Sequence, residues 1–364
     1  MRRRQVLAGL ASLPALPRAS HAKLPRPFRM GTTLWPPDIS LRGLAQVQAF
    51  VARDCDMVAP MILGGVPWVA AASGVAFSAR LQRELAYRPP SGQKMLLSLG
   101  ALDTLRQRMA PLYAETDNQP LPDEWRDLAF DDPKVIAAYI AFVLRAVGIT
   151  RPDWLCIGVE VNTLLHQSPD LWPAYARLHR ETYLAVKAAH PGLPLLFSIA
   201  AQHFQGQVAG ADAASQWQAM AELAAFADMI GFSVYPHTVP DLPHPLPDDF
   251  YAVFARFGAQ VGLPVAITES GSSSEKVRFL FSSLPGSPEM QAHHLDRLLQ
   301  AAEAGRFAFV VNWTSHDYPL LMEKIPRDTR SLASIWTYSG LVGPDGEDKA
   351  VTAVWRAALA RPFG

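Results

Sequence analysis

The chain has 364 residues, 49% of them hydrophobic, which is enough to build a full-sized core. Lys plus Arg and Asp plus Glu number 33 each, so the net charge is zero and the basic surplus of a phosphate-backbone binder is missing. Nucleic acid is therefore not an expected partner. The 31 prolines are spread between periodic segments, the pattern of many short stiff connections in a folded chain.

The chain begins with a cationic run, Arg2-Arg3-Arg4, followed by a short apolar stretch from Val6 to Leu16 and by Ser20-His21-Ala22, small residues at the positions a signal peptidase reads. The expectation is a signal peptide over residues 1–22, with export to the periplasm or beyond. Arg3-Arg4-Gln5-Val6-Leu7 resembles a twin-arginine signal, which makes the twin-arginine export machinery an expected partner. An ordinary secretory signal with three arginines is the other reading. No later apolar run reads as a membrane span. Cys55 and Cys156 lie in or beside apolar segments without metal-ligand spacing, and are expected as buried free thiols.

Residues 23–364 alternate short apolar runs with longer amphipathic ones. Strands are predicted at Arg29–Leu34, Met57–Ile62, Lys94–Leu99, Trp154–Val161, Leu195–Ala200, Met229–Tyr235, Val265–Glu269 and Phe307–Trp313. Helices are predicted to begin near Leu41, Ser78, Pro133, Pro173, Ala214, Asp248, Pro288 and Lys349, several behind capping signals such as Ser40, Asp132-Pro133 and Ser287-Pro288-Glu289. Strands with so little polar alternation suit a parallel sheet buried on both faces. Eight strand–helix units predict a single α/β domain, a (β/α)₈ TIM barrel. A doubly wound sheet competes, but its glycine-rich phosphate loop is missing.

Chemistry in such a barrel belongs at the carboxyl ends of the strands. Those ends offer Trp35, Trp68, Glu160 with Asn162, His203, Tyr235 with His237, Glu269, and Trp313 with His316. Carboxylates, aromatics and a few histidines on one face form the inventory of a sugar site. Glu160 and Glu269 each terminate an otherwise apolar strand, and opposed carboxylates about 5–5.5 Å apart serve a retaining glycosidase as acid/base and nucleophile. Each of the two, taken alone, also reads as a rim residue.

Four stretches carry a resemblance to the clan A glycoside hydrolases, closest to the family 53 endo-β-1,4-galactanases. They are Ile157-Gly158-Val159-Glu160-Val161-Asn162 with Leu171-Trp172-Pro173, Asp228 to Pro236, Val265 to Glu269, and Gly340 to Gly346. The resemblance spans most of residues 23–364 by layout but only these stretches by residue. It implies a retaining endo-β-glycosidase acting on a polysaccharide or oligosaccharide, with Glu160 as general acid/base and Glu269 as nucleophile. It further implies that Tyr235 bonds the nucleophile and that Trp313 forms the floor under the reacting sugar.

One position departs from the clan. Val159 stands where the clan has the Asn that contacts the sugar 2-hydroxyl. Asn162 substitutes for it, the substrate is modified at that carbon, or activity has decayed. Glu160 is expected to hold a proton at rest, raised by apolar neighbours and by the charge of Glu269.

Trp35, Trp68 and Trp125 read either as stacking platforms or as space-fillers. His203, His237 and His316 orient hydroxyls or lie on the surface. The acidic cluster Glu115, Asp117, Asp123, Glu124 and Asp127 reads as a solvated rim or as a subsite for a cationic amino sugar. With no HxH on the first strand and no GxSxG elbow, the expected chemistry needs neither cofactor nor metal. Two alternatives stay open: a catalytically silent glycan-binding barrel, and a TIM-barrel enzyme acting on a non-sugar substrate.

Overall fold

In the computed structural model, the residues described are 25–279, 282–325 and 327–364. The expected signal peptide and its arginine pair lie outside them. Within the described chain, strands and helices alternate as the periodicity predicts. The strands are β1 (Arg29–Thr32), β2 (Met57–Val58, resuming at Met61–Ile62), β3 (Lys94–Leu99) and β4 (Trp154–Cys156). They continue with β5 (Leu195–Ala200), β6 (Met229–Val234), β7 (Val265–Ser270) and β8 (Phe309–Asn312).

Every neighbouring pair is parallel, and β8 returns to pair with β1 through Arg29–Phe309, so the sheet closes into a barrel. Pro60 interrupts β2 because it has no N–H to give the ladder. The ladder resumes around it, where Ser98 N–H donates to Pro60 O at 3.0 Å.

The outer layer consists of α1 (Leu41–Asp54), α2 (Ala79–Leu85), α3 (Pro133–Thr150), α4 (Trp172–Ala189), α5 (Ala213–Leu223), α6 (Ala252–Val261), α7 (Pro288–Ala304) and α8 (Ala350–Leu359). The capping signals work as expected: Ser40, Ser78, Asp132 and Ser287 each accept a bond from a first-turn N–H, satisfying donors that the helix start leaves bare. By length and composition, α3 is apolar enough to cross a membrane, contrary to the expectation that no such run exists. One face of it, from Val135 through Tyr139, Phe142 and Val143 to Val147, is nevertheless buried in the protein core, as suits an outer barrel helix.

Two hydrophobic layers hold the barrel together. The larger lies between sheet and helices. The smaller fills the bore with one or two residues from each of β2 to β8, including Met57, Leu96, Cys156, Leu196, Met229, Ala266 and Phe309. Val159 is part of that inner cluster. Cys55 and Cys156 are buried free thiols, and burial pushes Cys156 up to about 12.

Elements beyond the repeat decorate the carboxyl-end loops. A two-stranded hairpin (Val277–Phe279 with Ser282–Leu284) follows β7, and the helix Arg327–Ser334 follows β8. Val277, Leu284, Leu332, Ile335 and Trp336 pack these two insertions together.

Candidate active site

Glu160 lies outside its strand. The apolar run Trp154–Val161 leads one to expect β4 to reach Glu160, yet pairing stops at Cys156. A Cβ on Gly158 would come within 2.6 Å of Tyr175 Oη and 2.7 Å of Val161 Cγ1, so the chain takes a course there that only glycine permits. Glu160 itself adopts a left-handed backbone with φ of 51°. For a residue other than glycine that conformation costs roughly 1–2 kcal/mol and is found where surrounding structure enforces it. Its N–H is held by Ser198 Oγ at 2.8 Å, on β5. This turn sends Val159 into the bore.

Glu269 stands on β7, opposite Ser233 of β6 in the ladder. Tyr235 Oη donates to Glu269 Oε2 at 2.9 Å, the contact expected of it. Glu269 Oε1 and Ser233 Oγ are buried beside each other, and the Ser233 hydroxyl favours the charged form of Glu269. Burial, reinforced by the charge of Glu160, pushes Glu269 up to about 8. The charge of Glu160 is thus felt at Glu269. The rise also corrects an expectation: at rest, burial gives the proton to Glu269, the residue expected to be ionised. Tyr235 is raised well above its ordinary range by burial and by both glutamates, so it stays a donor.

The residue that sequence reasoning missed is Arg106, in the loop after β3. Its Nη2 lies 3.4 Å from Glu160 Oε2, and its positive charge opposes the rise at Glu269. Tyr318 and Trp336 were also missed. Trp35 packs on Trp313 (centroids 5.5 Å) and on Tyr318 (5.9 Å), and Trp336 packs edge-on against Tyr235 at 5.6 Å. Trp336 and Tyr318 follow β8 in a long insertion whose lack of periodicity left no signal. The indole N–H groups of Trp35 and Trp336 are without protein acceptors.

This arrangement is set on a fold shared with solved glycoside hydrolases. An exo-β-1,4-mannosidase from Opitutaceae bacterium strain TAV5 is 17% identical at a TM-score of 0.58, the match covering 92% of this chain but only 59% of the mannosidase. A fungal β-1,4-galactanase structure is 14% identical at a TM-score of 0.57, covering 90% of this chain and 99% of its own. A subfamily 18 member of glycoside hydrolase family 5 from Streptomyces cattleya, in complex with Manβ1-4GlcNAc, is 16% identical at a TM-score of 0.63, covering 92% and 82%. What is shared at such identities is the (β/α)₈ fold. No family model and no curated protein matches the chain.

Other expected site residues fall elsewhere. Asn162 is fully buried, its Nδ2 bonded to Ala200 O and Gln216 Oε1 and its Oδ1 to Ala200 N. Committed to that network, it cannot take the place of the clan's Asn. Trp68 is also fully buried, with Nε1 on Ala110 O and its ring against Trp125 and Tyr139, so both tryptophans fill space under the loops. His237 is buried behind Tyr235 with Nε2 on Ile335 O, and burial lowers it to about 4.

His316 is buried as well, beside Ser315 Oγ and Phe50. His203 is half-buried against His166 and lowered to about 4 by burial and that neighbour. Within the acidic cluster, Asp117 is paired with Arg80 and Asp123 with Arg126. Among the described residues, no three His, Cys, Asp or Glu side chains converge closely enough to hold a metal ion.

Proposed function

We propose that this protein is a retaining glycoside hydrolase acting on a polysaccharide or oligosaccharide, exported by its amino-terminal segment to the periplasm or beyond. The reading is supported by one observation: Tyr235 bonds the buried Glu269, whose proton affinity the charge of Glu160 raises. In this reading Glu269 attacks the anomeric carbon, forming a glycosyl-enzyme as the exocyclic C–O bond breaks. Glu160 gives its proton to the departing oxygen, then takes one from the water that releases the sugar. Tyr235 holds Glu269 in line, and Trp313, braced by Trp35, offers a flat apolar face to the ring.

The reactive form has Glu269 ionised and Glu160 protonated, so the proton favoured on Glu269 in the empty site must pass to Glu160 before attack. The endo mode and the galactanase likeness belong to this proposal through the sequence resemblance. The test is release of reducing ends from galactan, mannan, xylan and acidic β-glycans. Glu160→Gln should lower turnover by about 10²–10⁴-fold, and a 2-fluoro glycosyl fluoride should label Glu269. Near-normal hydrolysis by Glu160→Gln or Glu269→Gln would overturn it.

A silent glycan-binding barrel is the second reading. It is favoured by Val159 in the bore and by the high proton affinity of Glu269. It predicts binding without released ends.

A further inference from the structure

Arg106 has no task in the double displacement, yet it is placed with care. Its loop leaves β3 and returns as a short hairpin, pinned where Ala110 N–H donates to Ala101 O at 2.8 Å and Asp103 N–H to Arg108 O at 3.0 Å. Asp103 Oδ1 braces the interior by accepting from Gln107 N–H at 2.8 Å. Arg106 lies in the turn so formed, with a left-handed φ of 58°.

Its side chain then folds toward the active site and is only 12% exposed. Nη1 donates to Asp103 O at 2.9 Å and Thr104 O at 3.3 Å, which fixes the plane of the guanidinium. Nη2 faces Glu160 Oε2 at 3.4 Å, long for a charge-assisted bond. Nε is buried and has no partner.

The unused donors define a ligand. Nε and Nη2 share one edge of the guanidinium, and that edge matches the two oxygens of a carboxylate. Here it meets one oxygen of Glu160 at long range and nothing at Nε. A buried charged donor without an acceptor is unfavourable, so an arginine kept only for structure would have Nε bonded. The charge also selects among sugars. An amino sugar bound here would bring its ammonium against a like charge, which disfavours the cationic subsite considered from sequence. With Val159 turned into the bore, the amide that a neutral sugar's 2-hydroxyl would meet is missing, and recognition must draw on another group.

We infer that the Nε–Nη2 edge of Arg106 is a subsite for the carboxylate of a hexuronic acid, and that the glycan bound beside Glu160 is acidic. The inference rests on the glycosidase reading for the placement of sugar in this cleft. The carboxylate takes both donors and replaces the long contact to Glu160, leaving that residue free for the leaving-group oxygen.

The test compares each acidic glycan with its carboxyl-reduced counterpart, identical in linkage but uncharged. The probes are β-linked polymannuronate and a glucuronate-containing β-glycan, presented to the full chain, to Arg106→Gln and to Arg106→Lys. Binding is read by calorimetry and hydrolysis by reducing ends. The wild type should bind at least one acidic probe about tenfold or more tighter than its reduced form, the effect of one charge-assisted contact. Arg106→Gln should abolish that discrimination at unchanged melting temperature, and Arg106→Lys should keep part of it. Equal binding of acidic and reduced forms, no binding of either, or discrimination that survives in Arg106→Gln would overturn the inference. Arginine-dependent discrimination without any released ends would uphold it while removing the hydrolase reading. Released ends without acid preference would do the reverse.

Discussion

Replacing Glu269 by Gln should make the protein more stable, and increasingly so as pH rises. The carboxyl is buried beside a second carboxylate, which lifts it from 4.5 to about 8. Below pH 4.5 it is protonated in both folded and unfolded chains, and its effect on stability does not change with pH. Between 4.5 and about 8 the unfolded chain ionises freely while the folded one holds its proton, so the wild type loses stability across this window. Above about 8 both states are ionised and the loss is complete. Gln does not titrate, and its amide oxygen still accepts from Tyr235. At about 1.4 kcal/mol per tenfold change in proton affinity, the ceiling is about 5 kcal/mol. Relaxation of the site and water penetration on ionisation bring the expected gain to about 1–3 kcal/mol. For a chain of this length that is a rise in melting temperature of roughly 1–4 °C. Thermal unfolding of both proteins from pH 4 to pH 9 reads it directly. A difference that stays flat, or that shrinks as pH rises, would refute the burial argument.

The same carboxyl sets the pH dependence of catalysis: the proton that Glu160 must give to the leaving group rests on Glu269, so kcat/KM on any cleaved glycan should fall as pH rises through a midpoint near 8, where that proton is lost. A fall complete by pH 6 would contradict this. Tyr235→Phe removes the hydroxyl bonded to Glu269, so kcat should fall by about tenfold or more and the falling limb should move to higher pH, checked by pH–rate profiles. Trp68→Ala should cost about 3–5 kcal/mol in urea unfolding, and Asn162→Ala about 2–4 kcal/mol by stranding Ala200 N and Gln216. Trp35→Ala should chiefly raise KM.

The sequence carries the barrel well, for a reason that also limits it. Strands such as Lys94–Leu99 and Leu195–Ala200 are apolar throughout because both faces are buried, and their observed bounds match the predicted ones. The same rule overextends β4: Val159 is apolar because it caps the bore and Val161 because it packs in the outer core, while the left-handed turn at Glu160 has already left the ladder. Glu269 on β7, and Tyr235 and Trp313 just past their strands, stand where strand periodicity leads one to expect them, whereas Glu160 follows its strand by a left-handed turn that the sequence does not announce.

Trp68, Asn162 and His237 mislead because a polar or aromatic residue after a strand looks alike whether it faces a ligand or satisfies a buried backbone. Only the partners Ala110, Ala200 and Ile335 distinguish the two cases. Arg106 is illegible for the opposite reason. In Asp103-Thr104-Leu105-Arg106-Gln107-Arg108, nothing separates the arginine folded against Glu160 from Arg108, which pairs with Asp103 on the exposed side.

Arg106 also gives the electrostatics of the site a test that is independent of substrate identity. Its charge is among the influences that hold Glu269 down, set against burial and Glu160, which raise it. Arg106→Gln removes that opposition, so Glu269 must bind its proton more tightly and the falling limb of kcat/KM must move above its wild-type midpoint. An opposite charge within a few ångströms typically lowers a carboxyl by about 1–3 pH units. Arg106 contacts Glu160 rather than Glu269, so the expected displacement is smaller, roughly a few tenths to one pH unit. An arginine that served only to brace its loop would lower the plateau and leave the midpoint in place. A midpoint that stays put, or moves toward acid, would therefore remove Arg106 from the electrostatics of the carboxylate pair.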